Sequence, residues 1–474
     1  MVEARAAADP GAVLAVDEAG TVLTAGQLRS EAVIVAAGLH DMGIEEGSTV
    51  SWQLPTRRDA LVLSAALSRL GAVQNPLVPI LRAREVGFIC EQVGSDLLIV
   101  PGVWRGFDYP AMATALGRRY LVADDGLPAG DPAGLPPAPP GPGAWRFYTS
   151  GTTAEPKGAR HTDATLEAAA AGMVAHLQMT ADDVLPAIAP ITHVGGIISL
   201  VATLMTGMRQ LLIEAFVPER VVPFIRAHDA TLIGLGTPCF LAYLDYAQAH
   251  PELGPLFPHV RAFVTGGAPT PPAVHHRLVA ELGTGVMSGY GLTEAPMLTW
   301  NVVGDDDDAL AHTEGRPVPG VELRVDERGE ILARGPQVML GYVDPALETR
   351  DDGWFATGDL GVVDDRGYLR ITGRVKDIII RNMENVSAKE VEDLLFTHPE
   401  VADAAVIGVP DERTGERVCA VVVPRHPDRP PSLADLAAHL RGAGLSDRKL
   451  PEELRLRDEL PRNALGKVLK KELR

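Results

Sequence analysis

Cysteine is scarce in this 474-residue chain, with only Cys90, Cys239 and Cys419 present. They are far apart and odd in number, so they make neither a disulfide framework nor a metal-binding spacing. The expectation is three small apolar packing residues in a protein of the reducing cytoplasm. Positive charge is also in deficit: 43 Lys+Arg stand against 62 Asp+Glu, a net charge of −19. Nucleic acid is thereby a poor partner, because its phosphates repel an acidic surface. Any nucleotide site must gather its cations locally. Long apolar runs are missing too. The longest, from Val194 to Met208, is too short to span a bilayer and contains three glycines. Met1 to Gly11 carries charges but no apolar signal core, so no export is expected. No G-x-x-x-x-G-K-[ST] loop occurs.

The length exceeds what one core usually supports, so two or more domains are expected. A hydrophobic content of 46% excludes wholesale disorder. Between residues 12 and 100, short apolar runs such as 49–54 and 97–100 alternate with helical periodicity at 58–70. Strand–helix alternation predicts an α/β sheet covered by helices. Prolines and glycines crowd residues 126–143, which reads as an exposed linker. Short alternating runs from Gly315 to Gly341 predict a small β-rich unit. Asp305 to Asp308 reads as a solvated acidic loop. Further on, Ser387 and Glu390 have the spacing of a capping box at a helix start.

The chemistry-bearing stretch is Tyr148-Thr149-Ser150-Gly151-Thr152-Thr153-Ala154-Glu155-Pro156-Lys157-Gly158. Glycines that let backbone approach a ligand, clustered hydroxyls and one lysine suit a polyphosphate. The same composition also describes an ordinary surface turn. Three more glycine-punctuated stretches follow. They are Thr265-Gly266-Gly267-Ala268, Gly289-Tyr290-Gly291-Leu292-Thr293-Glu294 and Gly353-Trp354-Phe355-Ala356-Thr357-Gly358-Asp359. Strand-then-glycine patterns mark the carboxyl ends of strands, where open α/β sheets collect ligands. Glu294 is a hard oxygen ligand suited to Mg²⁺ shared with phosphate, and Tyr290 offers a stacking face for adenine.

Taken in order, these stretches, with Gly373-Arg374 and the closing Gly466-Lys467, resemble the signatures of the adenylate-forming superfamily. That superfamily includes acyl-CoA synthetases, amino-acid adenylation domains and luciferases. The resemblance spans residues 148–467. The text around Ser51 to Cys90 and Arg381 to Glu392 is similar to bacterial cyclohexanecarboxylate-type acyl-CoA ligases. The resemblance implies a large AMP-binding domain over residues 1–374, built of α/β subdomains and the small β-rich unit. It also implies a smaller, mobile α+β domain over 377–474, with Lys376 as hinge. ATP, Mg²⁺ and coenzyme A are the implied partners, with a small carboxylic acid as substrate.

By the same resemblance Thr149, Ser150, Gly151, Thr152, Thr153 and Lys157 cradle phosphate. Gly267, Ala268, Tyr290, Asp359 and Arg374 hold the nucleotide, with Asp359 on the ribose. Thr293 and Glu294 meet the α-phosphate and metal, His193 borders the acyl pocket, and Lys467 is the adenylation lysine. Amino-acid adenylation domains place an aspartate near His193 to pair with the substrate amine. None stands here, which points to a hydrophobic acid. Where relatives carry Gly-Gly-Glu-Asn, this chain has Asn382-Met383-Glu384-Asn385, beside the implied pantetheine tunnel. The implied activity is an AMP-forming acyl-CoA ligase. The alternatives are loading of a carrier protein, a single half-reaction, or a nucleotide-responsive protein without turnover.

Overall fold

Runs of apolar residues without polar alternation need cover on both faces, and this is what Leu97–Val100 finds: all four residues are buried. In the computed structural model this strand runs parallel to Thr49–Trp52, which in turn pairs in parallel with Val73–Pro76. Tyr120–Val122 and the antiparallel pair Ala144–Thr149 and Lys157–Thr162 complete a six-stranded sheet. The structure describes every residue except 150–154, 268–269, 348–349, 382–383, 412 and 464–465; at 350, 351 and 384 only the backbone is described.

A second, five-stranded sheet begins with parallel strands Leu232–Leu235, Ala262–Gly266 and Val286–Tyr290. A four-stranded sheet holds Val13–Asp17 between Val22–Thr24 and Arg209–Leu212. Helices cover these sheets, and their starts obey local chemistry. Thr24 and Gln27 form a reciprocal capping box at Ala25–Asp41. Ser387 accepts from the Glu390 amide at the start of Ala388–Leu395. There the Glu390 carboxylate reaches Lys449 Nζ, at 2.6 and 2.8 Å.

The small β-rich unit is an antiparallel sheet of Glu322–Val325, Glu330–Arg334, Arg350–Asp351, Trp354–Val363 and Leu369–Arg374. Beyond it, residues 378–456 build a separate five-stranded sheet centred on Gly415–Pro424, with Val401–Asp411 along one edge. Two helices, Ala388–Leu395 and Leu433–Gly442, bury Val391, Leu395, Leu436 and Leu440 in its core. The whole is a mixed α/β fold of a large amino-terminal part and a smaller carboxyl-terminal α+β part. All three cysteines are free and buried. Among the described residues no helix is long and apolar enough to cross a membrane.

Two expectations are corrected in part. Asp305 to Asp308 is solvated at Asp306, Asp307 and Asp308, as expected, but not at Asp305. The Asp305 side chain is only 4% exposed, and it accepts from Tyr368 Oη at 2.6 Å and Arg316 at 3.2 Å. Asp306 caps the helix Asp307–His312 and binds Arg366, while Asp307 meets His275 Nε2 at 3.0 Å. Arg316 and Arg366 are the cations that pair with Asp305 and Asp306. Residues 126–143 are largely exposed, as expected, but part of the segment is tied down. Gly130 donates its N–H to the Ile34 carbonyl, and a Cβ on Gly38 would stand 2.5 Å from the Pro128 carbonyl carbon. The segment lies tight against the helix Ala25–Asp41, where only glycine leaves room for it.

Candidate active site

The parallel strands Ala262–Gly266 and Val286–Tyr290 end together, with Gly266 in register with Gly289. Their carboxyl ends therefore bring Gly267 and the 291–294 turn to one edge. Ala268 lies outside the described residues, as do Ser150, Gly151, Thr152 and Thr153. Thr149 and Lys157 are described, and they pair across the antiparallel ladder that flanks those four.

Lys157 is joined to the second signature by a residue the sequence reading did not single out. Its Nζ lies 5.7 Å from the Tyr342 ring centroid. The Tyr342 hydroxyl donates to Glu294 Oε1 at 2.9 Å. Tyr342 has no local motif, so only tertiary contact reveals it. A second unannounced residue is His161. It is fully buried, and its Nε2–H donates to the Thr293 carbonyl at 2.8 Å. The turn that carries Thr293 and Glu294 is thus held from two sides.

Asp359 and Arg374 sit on neighbouring strands in direct register. Arg374 Nε donates to Asp359 Oδ1 at 2.5 Å, and the buried Tyr290 hydroxyl donates to Oδ2 at 2.9 Å. Each carboxylate oxygen keeps a second acceptor position. Burial and the Asp359 carboxylate together push the Tyr290 phenol far above its ordinary range.

Lys467, in the other domain, feels the charges of Arg374 and Asp359. Its turn is closed by Asn463, whose Oδ1 accepts the Lys467 N–H at 2.9 Å and whose N–H donates to the Lys467 carbonyl at 2.9 Å. Gly466 lies against Pro238 of the large domain, 3.4 Å from where a Cβ would stand. Burial, aided by repulsion from Arg374, lowers the Lys467 ammonium from its ordinary value to about 8, while Asp359 and Asp377 oppose the shift. That balance puts an ammonium within electrostatic reach of the Asp359–Arg374 pair.

His193 lines an adjoining cleft with Leu77, Phe147, Tyr148, Val194 and Thr293. Its Nδ1 accepts the Gly195 N–H at 3.1 Å and so caps the helix Val194–Thr206. Nε2 therefore carries the proton of the neutral ring. Burial lowers its pKa to about 4, so the ring is uncharged at neutral pH. Gly196 is required by the turn, since a Cβ there would meet the Pro190 oxygen at 2.2 Å. Tyr148 Oη is spent on Gln92 Oε1 at 2.6 Å, which fixes the cleft wall. No carboxylate lines the cleft among the described residues.

Residues 2–343 match the family profile described as AMP-binding enzyme, and residues 390–467 match its carboxyl-terminal domain. The chain belongs to the AMP-binding enzyme family. Within it, this AMP-binding enzyme is an AMP-forming acid–thiol ligase of the acyl-CoA synthetase kind. It is 32% identical to the medium-chain fatty-acid–CoA ligase of Escherichia coli K12, covering 98% of this chain and 88% of that protein. It is 35% identical to a 3-[(3aS,4S,7aS)-7a-methyl-1,5-dioxo-octahydro-1H-inden-4-yl]propanoyl:CoA ligase of Mycobacterium tuberculosis, covering 95% and 93%. ATP-bound MatB from Rhodopseudomonas palustris superposes with a TM-score of 0.88 at 31% identity, covering 98% of this chain and 96% of that one. The apo form of the same protein superposes at 0.77, covering 100% and 98%.

Proposed function

We propose that this chain activates a hydrophobic carboxylic acid with ATP and transfers the acyl group to coenzyme A. The observation that carries the reading is the packing of the Lys467 turn against Pro238 of the large domain, near enough to Asp359 and Arg374 for their charges to act on the Lys467 ammonium. The better match to ATP-bound than to apo MatB supports the same arrangement of lobes.

In the first half-reaction a carboxylate oxygen of the acid attacks the α-phosphorus of ATP. The bond to the bridging oxygen breaks and pyrophosphate leaves. Lys467 neutralises the oxygens where acid, α-phosphate and leaving group meet, a task of fixed charge rather than proton transfer. Asp359 accepts from the ribose hydroxyls through its remaining acceptor positions. Arg374 orients Asp359, and Tyr290 borders the base. Thr293 bonds the α-phosphate, while Thr149, Lys157 and Gly267 line the phosphate side.

Glu294 fits Mg²⁺ as a single hard oxygen ligand held in place by Tyr342. No group of three or more metal-ligating side chains occurs among the described residues, and phosphate oxygens and water would supply the other ligands. When bound, Mg²⁺ supplies neutralisation of the triphosphate.

In the second half-reaction the coenzyme A sulfur attacks the acyl carbonyl carbon, AMP departs and the thiol proton goes to solvent. The small domain rotates about Lys376 so that Lys467 withdraws and the 382–385 stretch enters. An uncharged His193 and a cleft without a carboxylate favour an apolar acid over an amino acid.

The test is a panel of apolar, aromatic and amino acids assayed for AMP release with and without coenzyme A. AMP and an acyl-CoA from apolar acids are expected. Turnover with a carrier-protein thiol but not coenzyme A would overturn the acceptor, and no AMP from any acid would overturn the reaction. Lys467→Ala should abolish pyrophosphate exchange and spare thioester formation from supplied acyl-AMP.

A further inference from the structure

Lys467 does its work only if the turn that presents it is held in register with the other domain. The 466–467 turn sits between two charged tethers. On one side Arg462 bonds both the Gly466 carbonyl and the Asp403 carboxylate. On the other, three residues beyond Lys467, Lys470 Nζ lies 2.7 Å from Glu392 Oε1. Both side chains of this second pair are less than one-fifth exposed, at 19% and 18%. Glu392 Oε1 also accepts the Val406 N–H at 2.7 Å, which fastens the carboxylate to the edge strand Val401–Asp411.

Glu392 lies on the helix Ala388–Leu395, and that helix packs against the strand Leu369–Arg374. Its cap, Ser387, donates Oγ–H to the Thr372 carbonyl at 2.5 Å. Thr372 is two residues from Arg374 on the strand Leu369–Arg374. The path from Arg374 to Lys467 thus runs through strand, cap, helix, ion pair and turn.

We propose that Lys470 and Glu392 are positioning residues for adenylation, an ion pair that suspends the Lys467 turn from the helix docked on the Arg374 strand. The inference rests on the role proposed for Lys467. Misplacing a catalytic group by a fraction of its reach is costly, and breaking a buried pair leaves the partner charge uncompensated. The pair also acts through charge. The Lys470 ammonium is one of the cations that disfavour protonation of Lys467, alongside Arg374 and against Asp359 and Asp377. Burial raises the Glu392 carboxyl above its ordinary range, aided by Asp393, while Lys470 and the Val406 amide oppose the shift.

The experiment compares the two half-reactions in Glu392→Gln, Lys470→Met and the double variant. Each single variant should slow pyrophosphate exchange by about ten- to a hundredfold. Turnover of supplied acyl-AMP with coenzyme A should stay within about twofold of the parent in all three. The double variant should be no slower than either single one, because the pair acts as a unit. Lys470→Arg should restore most of the exchange. Lys470→Met should also move the alkaline limb of pyrophosphate exchange to higher pH, a change that loosened packing alone does not produce. Parallel loss of both half-reactions, a failure of Lys470→Arg to rescue, or an unmoved alkaline limb would overturn the proposal. If instead Lys467→Ala itself spares pyrophosphate exchange, the proposed role of Lys467 fails, separately from that of the pair.

Discussion

Arg374 and Asp359 face each other across an antiparallel ladder, and the guanidinium Nε approaches the carboxylate to 2.5 Å. The Tyr290 hydroxyl takes the other oxygen at 2.9 Å. A carboxylate fixed from two sides cannot turn away from a ligand that uses its remaining lone pairs.

Asp359→Asn should therefore weaken nucleotide binding more than it slows chemistry. The loss of charge-assisted bonds corresponds to about 1.5–3 kcal/mol, a rise of roughly ten- to a hundredfold in the KM for ATP. Pyrophosphate exchange at saturating ATP should fall far less. Isothermal titration with ATP checks the affinity directly.

The Lys467 ammonium, lowered to about 8 mainly by burial, gives a pH prediction. Charge neutralisation needs the protonated form, which dominates below that value and is lost as pH rises through it. Adenylation should decline with a midpoint near pH 8, well below the range of an ordinary lysine. Thioester formation from supplied acyl-AMP should lack this limb. Pyrophosphate exchange and acyl-AMP turnover measured from pH 6 to 10 give both profiles.

Tyr342→Phe removes the hydroxyl that holds Glu294 while leaving the ring near Lys157. The half-saturating Mg²⁺ concentration should rise by about threefold to tenfold, the worth of one hydrogen bond, with thermal stability little changed. Glu294→Gln should raise it further. A Mg²⁺ titration of pyrophosphate exchange separates the three proteins.

Glu314, beneath the docked helix of the small domain, is raised to about 7 by burial, with Lys389 opposing the shift. A carboxyl that protonates more easily in the fold than in the unfolded chain adds stability at low pH, and that stability is lost as pH rises through 7. Glu314→Gln should accordingly raise the urea midpoint at pH 8 and leave it nearly unchanged at pH 4.5. Urea melts at the two pH values decide it.

Local chemistry was legible in advance wherever one segment contained both partners. The Thr24 cap, the Ser387 cap and the four-residue strand at Leu97 each depend on residues within a few positions. The signature order was legible for a similar reason, since each signature is a contiguous turn at a strand end. What escaped were pairings across long sequence separations. Asp305 is neutralised by Tyr368 and Arg316, and Glu294 is steadied by Tyr342. No window short enough to read as a motif contains both members. The strapped segment 126–143 escaped for the opposite reason. Its proline and glycine content describes a chain that cannot form a helix, and says nothing of what it lies against.

The three cysteines acquire a chemical meaning from where the fold puts them. A mixed anhydride held in a pocket will acylate any nucleophile it meets. Burial raises the thiols of Cys90, Cys239 and Cys419, to about 12 for Cys239 and about 11 for Cys419, so none is present as thiolate at neutral pH. Self-acylation at sulfur is thereby closed off, and an incoming acceptor thiol meets no competing cysteine thiolate.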